Sequence, residues 1–266
     1  MAPTSILFYK DVGHSQEGAK EVTQLFDAGV FDGPKPVRLL TRLLTLANLK
    51  KDSIVLDFFS GSAATAHALM ARNVEDGGTR KFIMVQLPET TDEGGTAYKA
   101  GYANICEIGK ERIRRAGAKI EAEAGEKAAE LDLGFRCLRL DTSNMTDVYY
   151  TPETVTQDGL FAQVDNVKAD RTPEDLLFQT MLDLGILLSA SITVEEIADK
   201  RVFNVADGFL LACFDYDVTD ETVTAIAKRK PSYVVFRDAS MADDSALTNF
   251  DQLFAAYSPA TVRKVL

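Results

Sequence analysis

A chain of 266 residues with a net charge of −11 has room for one large domain or two smaller ones, and as a whole lacks the basic face of a self-sufficient nucleic-acid binder. Hydrophobic residues at 46% and charged residues at 26% are an ordinary globular balance, which excludes a disordered or fibrous chain. No apolar run is long enough for a membrane span. Met1 to Ile6 carries no leader pattern. The three cysteines, Cys106, Cys137 and Cys213, form no C-x-x-C pair, so a reducing, cytoplasmic setting without a zinc site is expected, with the thiols as small core residues.

Taken in order, Thr4 to Phe8 reads as a short strand. Glu17 to Phe26 reads as a helix with Val22, Leu25 and Phe26 on one face. Phe31-Asp-Gly-Pro-Lys-Pro36 follows, where two prolines fix an extended approach around Lys35. Pro36 suits the first turn of a helix that continues through Leu40, Leu43, Leu44 and Ala47. On this stretch alone, Lys35 is a surface lysine in a stiff turn.

Ile54-Val-Leu-Asp57 has the apolar content of a buried parallel strand. It breaks at Ser60-Gly61-Ser62, and Ala63 to Arg72 then has helix-forming composition. A strand, a glycine turn and a helix begin a nucleotide-type α/β site. Gly61 lets backbone approach a ligand, and the helix start favours a negative group. The turn has neither the G-x-G-x-x-G of a dinucleotide site nor the G-x-x-x-x-G-K-[ST] of a P-loop. A Rossmann-like turn that binds nothing also fits these residues.

Glu75 to Arg80 is a turn-rich link, and Lys81 to Leu87 is the next parallel strand. In such sites an acidic side chain near the end of that strand bonds the ribose hydroxyls, a role that Gln86 could fill with hydrogen bonds but without charge. Gln86 is favoured here over Glu89, which otherwise reads as a solvated loop carboxylate. Thr90 to Gly101 reads as a mobile loop. Ile105 to Ile120 is a long helix. Ile105, Ile108, Ile113, Ala116 and Ile120 are its apolar face, and Lys110, Arg112, Arg114, Arg115 and Lys119 are its solvated basic side. Glu121 to Leu131 continues or restarts that helix, and Phe135 to Leu140 reads as a strand.

The polar stretch from 142 to 171 separates a first region, 1–141, from a second, 172–266. The second opens on a helix start, with Thr172 as N-cap, Pro173 at the first position and Glu174 and Asp175 in the first turn. The helix runs from Leu176 to Leu184. Strands follow at 202–205, 209–214, 233–236 and 262–266, with helices at 219–230 and 246–257, so a small α/β layer is expected. Asp215, Asp217 and Asp220 fit no calcium loop, and His14 and His67 read as structural.

Asp57-Phe-Phe-Ser-Gly-Ser-Ala-Ala-Thr65 resembles the D-x-F-x-G-S-G-T-T motif of the DNA amino-methyltransferases of β order. It departs from that motif at Ala63 and Ala64. Phe31 to Pro36 resembles the Phe-Asp-x-Pro-Lys-Pro of the type III restriction–modification group, as does Lys-Phe-Ile-x-Val-Gln-Leu-Pro-Glu89. Leu210 to Phe214, Pro231 to Asp238 and the run from Asp243 to Asn249 resemble the C-terminal part of the same modification subunits. The resemblance implies an incomplete, permuted Rossmann-like half-domain that binds S-adenosylmethionine (AdoMet). The cofactor residues would be Phe31, Lys35, Asp57, Phe58, Phe59, Ser60, Gly61, Ser62, Gln86 and Glu89. Asp57 would face the amino-acid end of the ligand, an aromatic would lie against its adenine or sulfonium, and Lys35 would stand near its carboxylate.

The family's catalytic (Asp/Asn/Ser)-Pro-Pro-(Tyr/Phe) turn has no counterpart, because the chain contains no Pro-Pro pair. The expectation is therefore the C-terminal part of an adenine-N6 methyltransferase, with the catalytic turn and the target-recognition region upstream. Its partners would be DNA, a restriction helicase–nuclease subunit and a second copy of the chain. A non-catalytic assembly module with a vestigial pocket is the alternative, and a Rossmann enzyme using NAD or a nucleotide is a third reading.

Overall fold

The computed structural model describes residues 6–125, 130–146, 166–240 and 244–266, with side chains left undescribed at 244–248. It is a mixed α/β protein of two compact units, Met1–Leu138 and Arg139–Leu266. No described helix is long and apolar enough to cross a membrane.

The first unit contains helices α1 (Tyr9–Val12), α2 (Ser15–Phe26) and α3 (Val37–Leu46). Strand β1 (Ile54–Asp57), helix α4 (Ala64–Asp76), strand β2 (Lys81–Met84), and helices α5 (Thr96–Lys99) and α6 (Ile105–Ala124) follow. β1 and β2 pair in parallel with Asp57 opposite Met84, and the Val85 amide extends the ladder to the Asp57 carbonyl at 2.8 Å. The link after α4 is fixed by polar groups. Gly77 closes the helix in the left-handed region, Asn73 bonds both the amide and the carbonyl of Arg80, and Arg80 grips Asp76 through two contacts of 2.9 Å.

One face of this small sheet is covered. Val55 and Phe82 pack with Leu44, Ala68 and Leu69 from α3 and α4. Ala63, Ala66 and Met70 meet Ile113, Ala116 and Ile120 of α6. The other face is apolar and open: Ile54, Leu56, Ile83, Val85 and Leu87 are each between 48% and 62% exposed. The sequence reads as strands covered on both sides, and the described residues of this unit cover only one side.

The second unit begins with α7 (Pro173–Asp183), which starts on a reciprocal cap. Thr172 Oγ1 accepts the Asp175 amide, and the Asp175 carboxylate accepts the Thr172 amide at 2.8 Å. Five strands follow in spatial order β3 (Ile192–Ile197), β4 (Lys200–Val205), β5 (Leu210–Cys213), β6 (Tyr233–Phe236) and β7 (Val262–Val265). β3 to β5 are antiparallel, and β5 to β7 are parallel. Helix α8 (Asp220–Lys228) connects β5 to β6, and α9 (Asp244–Tyr257) connects β6 to β7. Val223, Ile226, Phe250 and Phe254 cover one face of the sheet. Leu176, Leu177 and Met181 of α7 cover the other. All four residues of β5 are buried, as a central strand requires.

Several expected elements differ. Ile6 to Phe8 is irregular and leads into α1, and the rest of the Thr4–Phe8 strand lies outside the described residues. Phe135 to Leu140 forms no strand; Phe135 instead packs beside Leu131 and Leu133 on the α4–α6 core. β3 was not anticipated, because Glu195 and Glu196 break its apolar alternation. Cys213 is buried, whereas Cys106 is half-buried and Cys137 exposed. Most of the polar stretch 142–171 and part of the Asp243–Asn249 run lie outside the described residues.

Candidate functional site

The turn after β1 is held from three sides. Thr65, in the first turn of α4, donates its hydroxyl to Asp57 Oδ2 at 2.6 Å. That bond fixes the carboxylate at the end of the strand, and among the described residues its other oxygen receives only a long 3.4 Å contact, from the Phe59 amide. The Ser60 amide donates to the Val85 carbonyl, and the Ser60 carbonyl accepts the Ala63 amide at 2.7 Å. The Gly61 amide donates to Gln86 Oε1 at 2.7 Å, so the end of β2 buttresses the turn. Gln86 is in turn tied to α6, since Cys106 Sγ donates to its main-chain carbonyl at 3.3 Å.

Gly61 has φ +51°, and a Cβ built on it would come within 3.3 Å of the Phe31 ring. Left-handed backbone and close approach therefore both favour glycine here. Ala63 also sits in the left-handed region, at φ +58°, and is buried with its methyl against α6. The motif it resembles has glycine there, and the backbone geometry accounts for that preference.

The loop around Lys35 is clamped by α2. The Glu21 carboxylate accepts the Val37 amide through both oxygens, at 3.1 and 3.0 Å, and so caps α3. Glu17 holds Arg38 through two bonds, of 2.7 and 2.9 Å. Gly18 lies so close to the loop that a Cβ would stand 2.2 Å from the Pro34 carbonyl oxygen. His14 caps α2 by accepting the Glu17 amide at Nδ1.

Beneath both segments lies Arg112. It was expected on the solvated side of α6, yet it is fully buried. Helical spacing explains the correction: it stands four residues after Ile108 and four before Ala116, in the buried column of the helix. Its Nη1 donates to Ser62 Oγ at 2.7 Å, and its Nη2 reaches Glu21 at 3.5 Å. Burial lowers the Arg112 pKa, partly opposed by Glu21. Burial likewise raises that of Glu21, opposed by the Val37 amide and by Arg112. His67 on α4 is pushed down to about 4 by burial and then by Arg112 and Lys119, so its imidazole is neutral.

Phe31, Asp57, Ser60, Gly61, Ser62 and Gln86 thus meet around one turn. Ser62 points inward to Arg112, which leaves its backbone rather than its hydroxyl for a ligand. Gln86 Oε1 is already engaged by Gly61. Phe58 and Phe59 stand open at 62% and 73% exposure, with ring centroids 5.3 Å apart. Lys35 and Glu89 are exposed, and among the described residues no hydrogen bond joins either side chain to the turn. Sequence reasoning missed Gly18, Glu21, Thr65 and Arg112 as supports. Asp215 accepts the Arg201 amide and Asp220 accepts from Asn249, and no described cluster of three or more His, Cys, Asp or Glu residues could hold a metal.

Residues 4–116 match the sequence profile of a family described as DNA methylase. The Mod subunit of the type III restriction-modification enzyme StyLTI, from Salmonella typhimurium, is 47% identical over 135 residues, which are 51% of this chain and 20% of that protein. The EcoPI Mod subunit of Escherichia phage P1 is 40% identical over 136 residues, again 51% and 20%. The type II methyltransferase M.KpnI of Klebsiella pneumoniae is 34% identical over 100 residues, 38% of this chain and 24% of that one. The matched stretch spans about a fifth of the length of the Mod subunits.

Proposed function

We propose, from the match of residues 4–116 to the DNA methylase family and the similarity of about half of the chain to type III Mod subunits, that this chain supplies the AdoMet-binding portion of a DNA adenine-N6 methyltransferase. The observation that carries the reading is Asp57. Thr65 aims its carboxylate at the end of a parallel strand, beside a glycine turn that a side chain would close. The bound cofactor supplies an electrophilic methyl group. Asp57 would hold its ammonium end, Lys35 would oppose its carboxylate, and Phe58 or Phe59 would lie against its adenine or sulfonium. Gln86 and Glu89 are the candidates for the ribose hydroxyls. Glu89 is the stronger of the two, because the Gln86 carbonyl is engaged by Gly61 while the Glu89 carboxylate is exposed.

The cofactor portion contributes position and electrostatics, and the amine-gripping Pro-Pro turn and the target-recognition region come from elsewhere. DNA contact therefore resides mainly outside these 266 residues, and a restriction helicase–nuclease subunit is the expected macromolecular partner. A thermal-shift comparison tests the reading: AdoMet raises the melting temperature and NAD does not. Purified chain alone transfers no methyl group to DNA, and detectable transfer would overturn the division of labour.

One observation favours a second reading, in which the chain is a non-catalytic assembly or dimerisation module. The open apolar face of β1 and β2 is a surface that association would cover. Light scattering, with a pull-down against the helicase–nuclease subunit, separates the two: a stable complex without any AdoMet response supports the module.

A further inference from the structure

Two segments that the proposed cofactor site needs in a fixed relation, the Pro34–Pro36 loop and the Gly61 turn, are not hydrogen-bonded to one another among the described residues. One side chain bonds both the turn and the carboxylate that caps the residue after the loop. We propose that Arg112 is a positioning residue that locks the lysine loop to the glycine turn, through Glu21 on one side and Ser62 on the other. The proposal rests on reading that turn as the cofactor site.

The geometry is specific to a forked cation. Nη1 meets Ser62 Oγ, whose backbone lies within the turn, and Nη2 meets the carboxylate that caps Val37, the residue directly after Pro36. Helix α6 comes close enough because Gly109, one turn earlier, leaves space that a Cβ would not; it would stand 3.2 Å from the Gly61 carbonyl. A lysine has one point of charge and cannot span two acceptors in a plane. Stability alone does not explain an arginine here. Burying a guanidinium is costly, an apolar side chain of similar volume packs at lower cost, and Arg112 Nε has no hydrogen-bond partner among the described residues. What the arginine provides is registry between the turn, 50 residues away in sequence, and Glu21, 91 residues away, which holds the end of the lysine loop.

Hydrogen–deuterium exchange on the ligand-free full chain tests this, with Ser62→Ala as the principal variant because it removes one hydroxyl. If Arg112 couples the segments, Ser62→Ala speeds exchange at least several-fold in the peptide containing Val37 as well as in its own turn, while the α8 peptide is unchanged. Exchange that rises only in the turn would overturn the coupling. Glu21→Gln, which retains an acceptor for Val37 but loses the charge, is expected to loosen the Gly61 turn in return; an unaffected turn would count against the lock. AdoMet titration then distinguishes this proposal from the reading beneath it. A wild-type chain that binds nothing refutes the cofactor site, and the exchange result still decides the coupling. A wild-type chain that binds, with Ser62→Ala and Arg112→Lys both binding equally well, refutes the positioning role.

Discussion

The side-chain carbonyl of Gln86 accepts the Gly61 amide at 2.7 Å, so the residue expected at the ribose is a strut for the turn. Gln86→Ala leaves a half-buried amide unpaired and is expected to cost about 1–2 kcal/mol, read as a lower melting temperature. Glu89→Ala is expected to leave stability within about 0.5 kcal/mol, as for an exposed side chain, and to weaken AdoMet binding. The reverse pattern would return the ribose role to Gln86.

Gly61 and Ala63 share a left-handed backbone but differ in what substitution costs. Gly61→Ala adds a methyl against Phe31 on an unfavourable φ and is expected to cost about 1–2 kcal/mol or more. Ala63→Gly relieves about 1 kcal/mol of strain while losing about 0.8 kcal/mol of buried methyl, so urea denaturation should show a near-neutral change. A loss above about 2 kcal/mol for Ala63→Gly would mean that packing, not backbone, governs the site.

Gly18→Ala raises helix propensity, by about 1 kcal/mol in an exposed helix. Here it drives a methyl into the Pro34 carbonyl and must displace the Lys35 loop. A net destabilisation of about 1–3 kcal/mol is expected, with weaker AdoMet binding. Stabilisation would show that α2 does not clamp the loop.

His67 sets an acid limit on stability. Its folded pKa of about 4 lies below the ordinary 6.5, so the neutral form is favoured in the fold. Its contribution is fully present above 6.5 and is lost as pH falls through 4, up to about 3 kcal/mol in all. Asp76 acts in the same direction at lower pH: Arg80 holds its carboxyl below the usual range, and that contribution disappears as the group protonates. Glu21 has the opposite sign. Burial raises its pKa, so its contribution is greatest below the ordinary carboxylate value and diminishes as pH rises through the folded one. In urea melts between pH 7 and 4, His67→Gln should flatten the loss seen in wild type. An identical slope in both would remove His67 as the cause.

The strand, glycine turn and helix from Ile54 onward were legible because composition, turn chemistry and helix propensity agree there. The Thr172 cap was legible for the same reason. Arg112 was misread because charge was weighed ahead of period; its spacing from Ile108 and Ala116 already assigned it to the buried column. Glu21 and Gly18 gave no local signal, since their partners Val37 and Pro34 lie 16 residues further along the chain. β3 escaped notice because an edge strand tolerates the two glutamates that weaken its pattern. The open face of β1 and β2 could not be read at all, for apolar residues on both faces of a strand say only that something covers them.

Calorimetric titration of AdoMet into the wild-type chain and Asp57→Asn reaches the central claim most directly. Asparagine keeps an acceptor for the Thr65 hydroxyl and removes only the charge, so the fold is retained. Saturable 1:1 binding by wild type, weakened roughly tenfold or more in Asp57→Asn at an unchanged melting temperature, is the predicted result; the loss corresponds to about 1.4 kcal/mol. Equal affinity in both proteins, or none in wild type, would contradict the assignment of this carboxylate and its glycine turn to the cofactor.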